Sequence, residues 1–203
     1  MTRLLLASAS LGRLTTLCSA GVEPLVQVSG VDENAVLAAT PEATAPAEIA
    51  LLLARAKAEA VAATVEDVVV VGCDSLLELG GAVHGKPRNA AEATARWRAM
   101  RGSSGILHTG HWVVDGRPGS YHGATGAVAS TTVHFADVTD DEISAYVATG
   151  EPLQVAGAFT IDGLGGAFVE RIDGDHHNVV GLSLPLLRRL LADLGVHWTD
   201  LWT

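Results

Sequence analysis

Lysine is almost missing from this 203-residue chain: Lys57 and Lys86 stand beside eleven arginines. Acids outnumber bases, and the net charge is −10. A chain this acidic has no global field to draw DNA or RNA, whose binding rests on neutralised phosphates, so no nucleic-acid partner is expected. A small anion is not excluded, because a few converging cations hold a phosphate inside an acidic protein. Cysteine is scarce too, and the spacing of Cys18 and Cys73 fits no metal or redox motif. With no secretory signal, both are expected as reduced thiols of a cytoplasmic protein. Long apolar runs are absent. Leu4-Leu5-Leu6-Ala7 is too short for a signal core and Arg13 soon follows; nothing approaches the roughly 18 apolar residues of a membrane span. No repeat, long linker or low-complexity tract is present. What is there, 48% hydrophobic and 18% charged, is the composition of a globular protein, read as a single domain over 1–203.

Along the chain, residues 3–7 read as a short buried strand, followed by a helix over 11–20 that Gly21 ends. A second strand is expected at 24–28, leading into a loop that carries Asp32 and Glu33. Pro46 suits the first turn of a long helix over 46–64. The β-branched run 68–71 reads as a strand covered on both faces, ending at Gly72-Cys73-Asp74-Ser75. A hairpin over 76–84 turns at Gly80-Gly81. Asn89 with Glu92, and Thr139 with Glu142, form capping-box patterns at two helix starts. Long antiparallel strands are expected over 106–135, broken at 115–119. A glycine-rich segment follows at 157–166, then a strand at 167–172 and a last helix after Ser183. This order predicts an α/β fold with a mixed sheet.

Three places carry residues suited to chemistry. Ser8-Ala9-Ser10-Leu11-Gly12-Arg13 joins a strand end to a helix start, where free N–H groups favour phosphate. Arg13 can add a bidentate clamp; the plain alternative is a capped helix with a surface arginine. Asp74, placed at a strand end, suits a hard-metal ligand or general base, or else a turn cap. Asp32 reads as a solvated turn residue. At about 100° per residue, Lys57 falls opposite Glu48, Arg55 and Glu59, on a stripe with Ile49, Leu53 and Val61. A lysine there either snorkels or serves a site. Lys86, in Gly85-Lys86-Pro87, is either held at a defined place or an ordinary loop lysine. His108 and His111 should point to opposite faces of a strand, and His176-His177 reads as a solvated turn.

Taken in order, Leu6-Ala7-Ser8-Ala9-Ser10, Val31-Asp32-Glu33, Leu53-Ala54-Arg55-Ala56-Lys57-Ala58, Gly72-Cys73-Asp74-Ser75, Gly85-Lys86-Pro87, Thr149-Gly150-Glu151-Pro152, Ala156-Gly157-Ala158-Phe159 and Asn178-Val179-Val180-Gly181-Leu182 resemble the Maf family. The resemblance implies a mixed twisted sheet flanked by helices, with two lobes and a deep central cleft, related to inosine triphosphate pyrophosphatases. It implies hydrolysis of a nucleoside triphosphate between its α- and β-phosphates, as a house-cleaning activity needing Mg²⁺ or Mn²⁺, and a homodimer. Carried over, Glu33 and Asp74 hold the metal, and Asp74 also orients or deprotonates water. Arg13, Lys57 and Lys86 neutralise phosphate charge, while Ser8, Ser10 and Ser75 line the phosphate cradle.

The chain departs from the family pattern at two places. Where the family commonly reads Ser-Pro-Arg-Arg, Ser10-Leu11-Gly12-Arg13 lacks one arginine. The dTTP/UTP branch typically reads Lys-Ala-Gly-Ala-Tyr-Gly-Ile-Gln-Gly, against Val155-Ala156-Gly157-Ala158-Phe159-Thr160-Ile161-Asp162-Gly163 here. Asp162 only accepts hydrogen bonds, which suits guanine's N1–H and N2–H₂ and resembles the branch acting on 7-methyl-GTP; a turn residue before Gly163 is the alternative. A rival reading is a nucleotide-binding regulator of cell division with little catalysis. The retained acids and lysines count against it.

Overall fold

The computed structural model describes residues 2–119 and 123–203. Its core is a seven-stranded mixed sheet of β1 (Leu4–Leu6), β2 (Leu25–Val26), β3 (Val69–Leu79), β4 (Ala82–His84), β5 (Ser104–Asp115), β6 (Ala124–Phe135) and β7 (Val169–Asp173). The order is β2-β1-β3-β5-β6-β7, with β4 paired to the far end of β3. β1 is parallel to β2 and β3, and the remaining pairs are antiparallel. The helices are α1 (Leu11–Ser19), α2 (Glu33–Ala38), α3 (Pro46–Ala62), α4 (Ala90–Met100), α5 (Asp140–Ala148), α6 (His176–Val180) and α7 (Leu184–Asp193). Residues 120–122, within the expected 106–135 strand region, lie outside the described set.

Side chains on a strand alternate between faces, so each long strand serves two layers. On one face, α3 lies against β3 and β5. Its buried Ala50, Ala54 and Ala58 form a stripe at i, i+4 spacing, opposite Gly72 of β3 and Gly110 of β5. A methyl on Gly72 would strike the Ala54 carbonyl and sit 2.7 Å from the Ala58 nitrogen; one on Gly110 would strike the Ala50 carbonyl. Both glycines are therefore required by close approach of a helix backbone, not by a turn.

The other face carries two separate cores. Leu4, Leu6, Val69, Val71 and Val113 pack with Leu17, Leu187 and Leu191 of α1 and α7. Leu77, Leu107, Val133 and Phe135, further along the same strands, pack with Trp97 and Met100 of α4 and Tyr146 of α5. Trp97 sits edge-on to Phe135, Tyr146 and Phe168, and its indole N–H donates to the Ala158 carbonyl at 2.7 Å. These are the two lobes. Between them runs a buried polar belt of Ser75, Thr109, His111, Thr131 and Asn178, of which Ser75 alone is partly exposed.

Several expectations need correction. β3 does not end at residue 71 and restart in a hairpin: it is one 11-residue strand. Asp74 is consequently in mid-strand, in register with Gly110. Asp32 and Glu33 are not in a loop. Asp32 caps α2, accepting from the Asn34 and Ala35 N–H groups, and Glu33 is the first helical residue. His176-His177 begins α6, capped by Asp175, instead of forming a turn. The strand expected at 167–172 starts at Val169, after a 3₁₀ segment over Leu164–Phe168. The Thr139–Glu142 capping box forms as expected. Asn89 caps α4, but Glu92 turns to Arg88 and Arg96.

Candidate active site

β3 pairs with β1 only through Val69–Val71 and with β4 only through Leu77–Leu79. Over residues 72–76 that edge has no strand neighbour among the described residues, and the candidate site residues gather there. Asp74 projects onto the α3 face, where the close helix approach delivers Lys57. The Lys57 ammonium lies 2.5 Å from Asp74 Oδ1 and 2.7 Å from Glu33 Oε1. Lys57 is nearly buried while Glu33 is half exposed, so the trio runs from the interior to the solvent. The Lys57 ammonium does not snorkel to solvent; it is held in the ion-paired trio.

Arg13 is buried, which overturns the surface-arginine alternative. Its Nε donates to the Gly181 carbonyl at 2.8 Å, and Nη1 to Ser8 Oγ at 3.0 Å and the Cys73 carbonyl at 2.8 Å. Nη2 donates to Ser75 Oγ at 3.1 Å. Four of the five guanidinium N–H groups are thus taken by neutral oxygens, leaving one Nη2–H unpartnered among the described residues. The Cys73 carbonyl belongs to the open edge of β3, so the guanidinium occupies a place that a strand would otherwise fill.

The three serines are already engaged. Ser8 Oγ accepts from Arg13 and from the Ser10 N–H, and Ser10 Oγ caps α1 by accepting from the Arg13 N–H. Ser75 Oγ is 2.9 Å from Thr109 Oγ1, which donates onward to the Asn178 carbonyl. Ser8 and Ser75 thus hold the Arg13 guanidinium, while Ser10 holds the start of α1. Lys86 is exposed, with no ion pair among the described residues, while its neighbour Gly85 accepts from the Gly157 N–H and from Arg96. The structure thus anchors the Lys86 loop beside Leu76 of β3 but leaves the ammonium in solvent. Asp162 lies beside α1, with Oδ2 3.9 Å from where a Gly12 methyl would stand.

Charges within the cluster balance: Asp74 and Glu33 against Lys57 and Arg13. Burial pushes the Asp74 carboxyl above its ordinary range, while Lys57 and Arg13 pull against that rise. A carboxylate moved up in this way is a better proton acceptor. The adjacent Cys73 thiol is pushed up to about 11 by burial, which makes it inert. Glu33 and Asp74 come from separate segments and already converge on one cation, a donor set that suits a hard divalent ion. A second group, Asp175, His176 and His177, places its possible ligand atoms within 4.8 Å of one another. There Asp175 is occupied in accepting from the His177 N–H and Nδ1 at 3.0 Å each.

Sequence reasoning missed four supports. His108 and His111 do face opposite ways. His108 bridges Glu78 and Ser130, whereas His111 is fully buried in the belt and accepts the Ser183 N–H at 2.8 Å. Asn178 ties Leu107 to Thr131. Glu151 accepts from Tyr146, Thr160 and the Leu164 and Gly165 N–H groups, fixing the loop that carries Asp162. Burial works to raise the Glu151 pKa, yet those hydrogen bonds bring it below the ordinary value. For Asn178 and Glu151 the only sequence signal was membership of the ordered motifs, and for the two histidines it was the alternation of side chains along a strand.

The model of the Maf-like protein family matches residues 3–194. The chain belongs to the Maf-like family. Among its relatives, a nucleoside triphosphate pyrophosphatase of Streptomyces coelicolor is 60% identical over 98% of this chain and 94% of its own length. One of the same description from Salinispora tropica is 57% identical, over 99% and 88%. A dITP/XTP pyrophosphatase structure from Mycobacterium abscessus aligns over 68% of this chain and 76% of that one, at 13% identity and a TM-score of 0.36. That likeness is too distant to add to the argument. In this Maf-like chain no described helix is long and apolar enough to cross a membrane.

Proposed function

We propose that this Maf-like chain hydrolyses a nucleoside triphosphate to the monophosphate and pyrophosphate, as a house-cleaning enzyme of the cytoplasm. The observation that carries the reading is the Lys57 ammonium held between Asp74 and Glu33 on the open edge of β3, beside buried Arg13. The relatives' description supports the same activity.

Asp74 takes up or orients the proton of the attacking water as the bridge between α- and β-phosphates breaks and pyrophosphate leaves. Lys57, the spare Nη2–H of Arg13, and Lys86 on its anchored loop meet the charge that grows on the leaving group. Because the resting cluster is neutral, the charge of a triphosphate calls for a further cation. Glu33 and Asp74 would hold Mg²⁺ or Mn²⁺, which supplies Lewis acidity and charge neutralisation. Asp162 favours a guanine-type base, GTP or 7-methyl-GTP, over dTTP and UTP.

The test is pyrophosphate release with Mg²⁺ or Mn²⁺ from dTTP, UTP, CTP, GTP and 7-methyl-GTP, by wild type and Asp74→Asn. Release by wild type and its loss in a folded Asp74→Asn are expected. Full turnover in the variant would refute the assigned mechanism. Silence across the panel, with nucleotide still bound, would replace the enzyme by a nucleotide-binding regulator.

A further inference from the structure

Lys86 sits on the connection from β4 to α4, and that connection is tied at two points to one face of the helix. Just before Lys86, the Gly85 carbonyl accepts from Arg96 Nη1 at 2.5 Å. Just after Pro87, the Arg88 N–H and Nε donate to Glu92 Oε2 at 3.1 Å and 2.9 Å. Glu92 and Arg96 are neighbours on the helix surface at i, i+4 spacing, and Arg96 Nη2 donates to Glu92 Oε1 at 2.9 Å. Of residues 85–87 Pro87 is buried and only Lys86 is exposed.

The same turn of α4 grips a second loop. The Gly85 carbonyl also accepts the Gly157 N–H at 3.1 Å, and Trp97, next to Arg96, donates to the Ala158 carbonyl at 2.7 Å. Ala158 is left-handed, with φ 64°. For a residue with a side chain that conformation costs about 1–3 kcal/mol and persists only where its surroundings impose it. Packing alone does not hold the Lys86 loop. A cavity of about 310 Å³ lies against α4, lined by His84, Arg88, Glu92 and Arg96 among others. Arg96 itself is buried, and burial lowers its pKa while Glu92 pulls the other way. A buried ion pair is often replaced by apolar residues with no loss of stability. What a methionine could not do here is hold the Gly85 carbonyl.

Building on the function proposed above, we propose that Arg96, oriented by Glu92, is a positioning residue for Lys86. It acts through the Gly85 carbonyl and fixes the backbone from which the Lys86 ammonium reaches the leaving pyrophosphate. A lysine stem is flexible, so the place of its charge is only as definite as the backbone beneath it. Because that charge meets one that grows during bond breaking, losing its position lowers kcat more than it raises KM.

The test is a double-mutant cycle of Arg96→Met and Lys86→Ala, read as kcat and KM for pyrophosphate release, as melting temperature, and as calorimetric binding of inorganic pyrophosphate with Mg²⁺. Arg96→Met alone should lower kcat by about tenfold or more, since misplacement near 1 Å costs about a hundredfold and Glu92 still holds Arg88. In the Lys86→Ala background it should lower kcat less than about twofold, because the group it positions is gone. Arg96→Lys, which keeps a charged donor, should fold and recover part of the loss. Equal fold-losses from Arg96→Met in both backgrounds, or a lower melting temperature with kcat unchanged, would make Arg96 a support of α4 and overturn the proposal. Should Arg96→Met not fold, the same cycle with Arg96→Lys decides by the same criterion. If wild type releases no pyrophosphate, the hydrolysis reading fails. Pyrophosphate binding that weakens in both single variants and no further in the double would then leave the positioning role standing, and independent losses would end it.

Discussion

Replacing Gly72 by alanine tests whether the site depends on how closely α3 lies against the sheet. The new methyl would sit 2.7 Å from the Ala58 nitrogen and strike the Ala54 carbonyl. Unstrained contact needs about 3.5 Å, so the helix must lift by at least roughly 0.8 Å at that turn, and further to clear the Ala54 carbonyl. Overpacking of this kind costs about 1–3 kcal/mol, or several degrees of melting temperature in a domain of this size. Lys57 precedes Ala58, and its ammonium is held 2.5 Å from Asp74. A displacement near 1 Å at a reacting centre costs about a hundredfold in turnover. Thermal melts and pyrophosphate release should therefore fall together. Gly110→Ala, which collides with Ala50 two turns away, should lower the melting temperature comparably while harming turnover far less. If Gly72→Ala melts and turns over like wild type, close helix contact does not set the Lys57–Asp74 geometry.

His111 gives an acid-sensitivity prediction. Burial pushes its pKa down to about 4, while the unfolded value is about 6.5. Between the two the unfolded chain holds the extra proton, so stability falls with falling pH by about 1.4 kcal/mol per unit and is flat above the window. Urea midpoints from pH 7 to 4 should drop less steeply for His111→Gln; parallel curves would refute this. Arg13→Lys leaves buried carbonyls of Cys73 and Gly181 unpaired, costing about 1–3 kcal/mol each. Its melting temperature should drop along with turnover, and a change confined to KM would make Arg13 a plain phosphate ligand.

What the sequence discloses depends on how local the cause is. Lys57 was legible because helical periodicity alone places it on the stripe facing the sheet. The Thr139–Glu142 cap was legible because both partners lie within one turn. The continuity of β3 was not: Gly72 and Ser75 read as turn formers, but one admits α3 and the other receives Arg13. The burial of Arg13 was hidden because its acceptor Gly181 lies 168 positions away. α2 buries no residue fully, so it has no apolar stripe to read, only its Asp32 cap. Asp162 and the histidine pair line one cavity beside Gly12 of α1, a neighbourhood that no spacing in the chain encodes.

The uncovered stretch of β3 has a further consequence. An unpaired strand edge invites pairing with another chain, and most folds keep such edges short, charged or at the rim. Here the edge lies in the middle of the sheet, between β1 and β4. Arg13 blunts it by binding the Cys73 carbonyl, so the same guanidinium proposed above to meet phosphate also denies the edge to a foreign strand. The edge over residues 72–76 can remain without a strand neighbour and not become a template for aggregation.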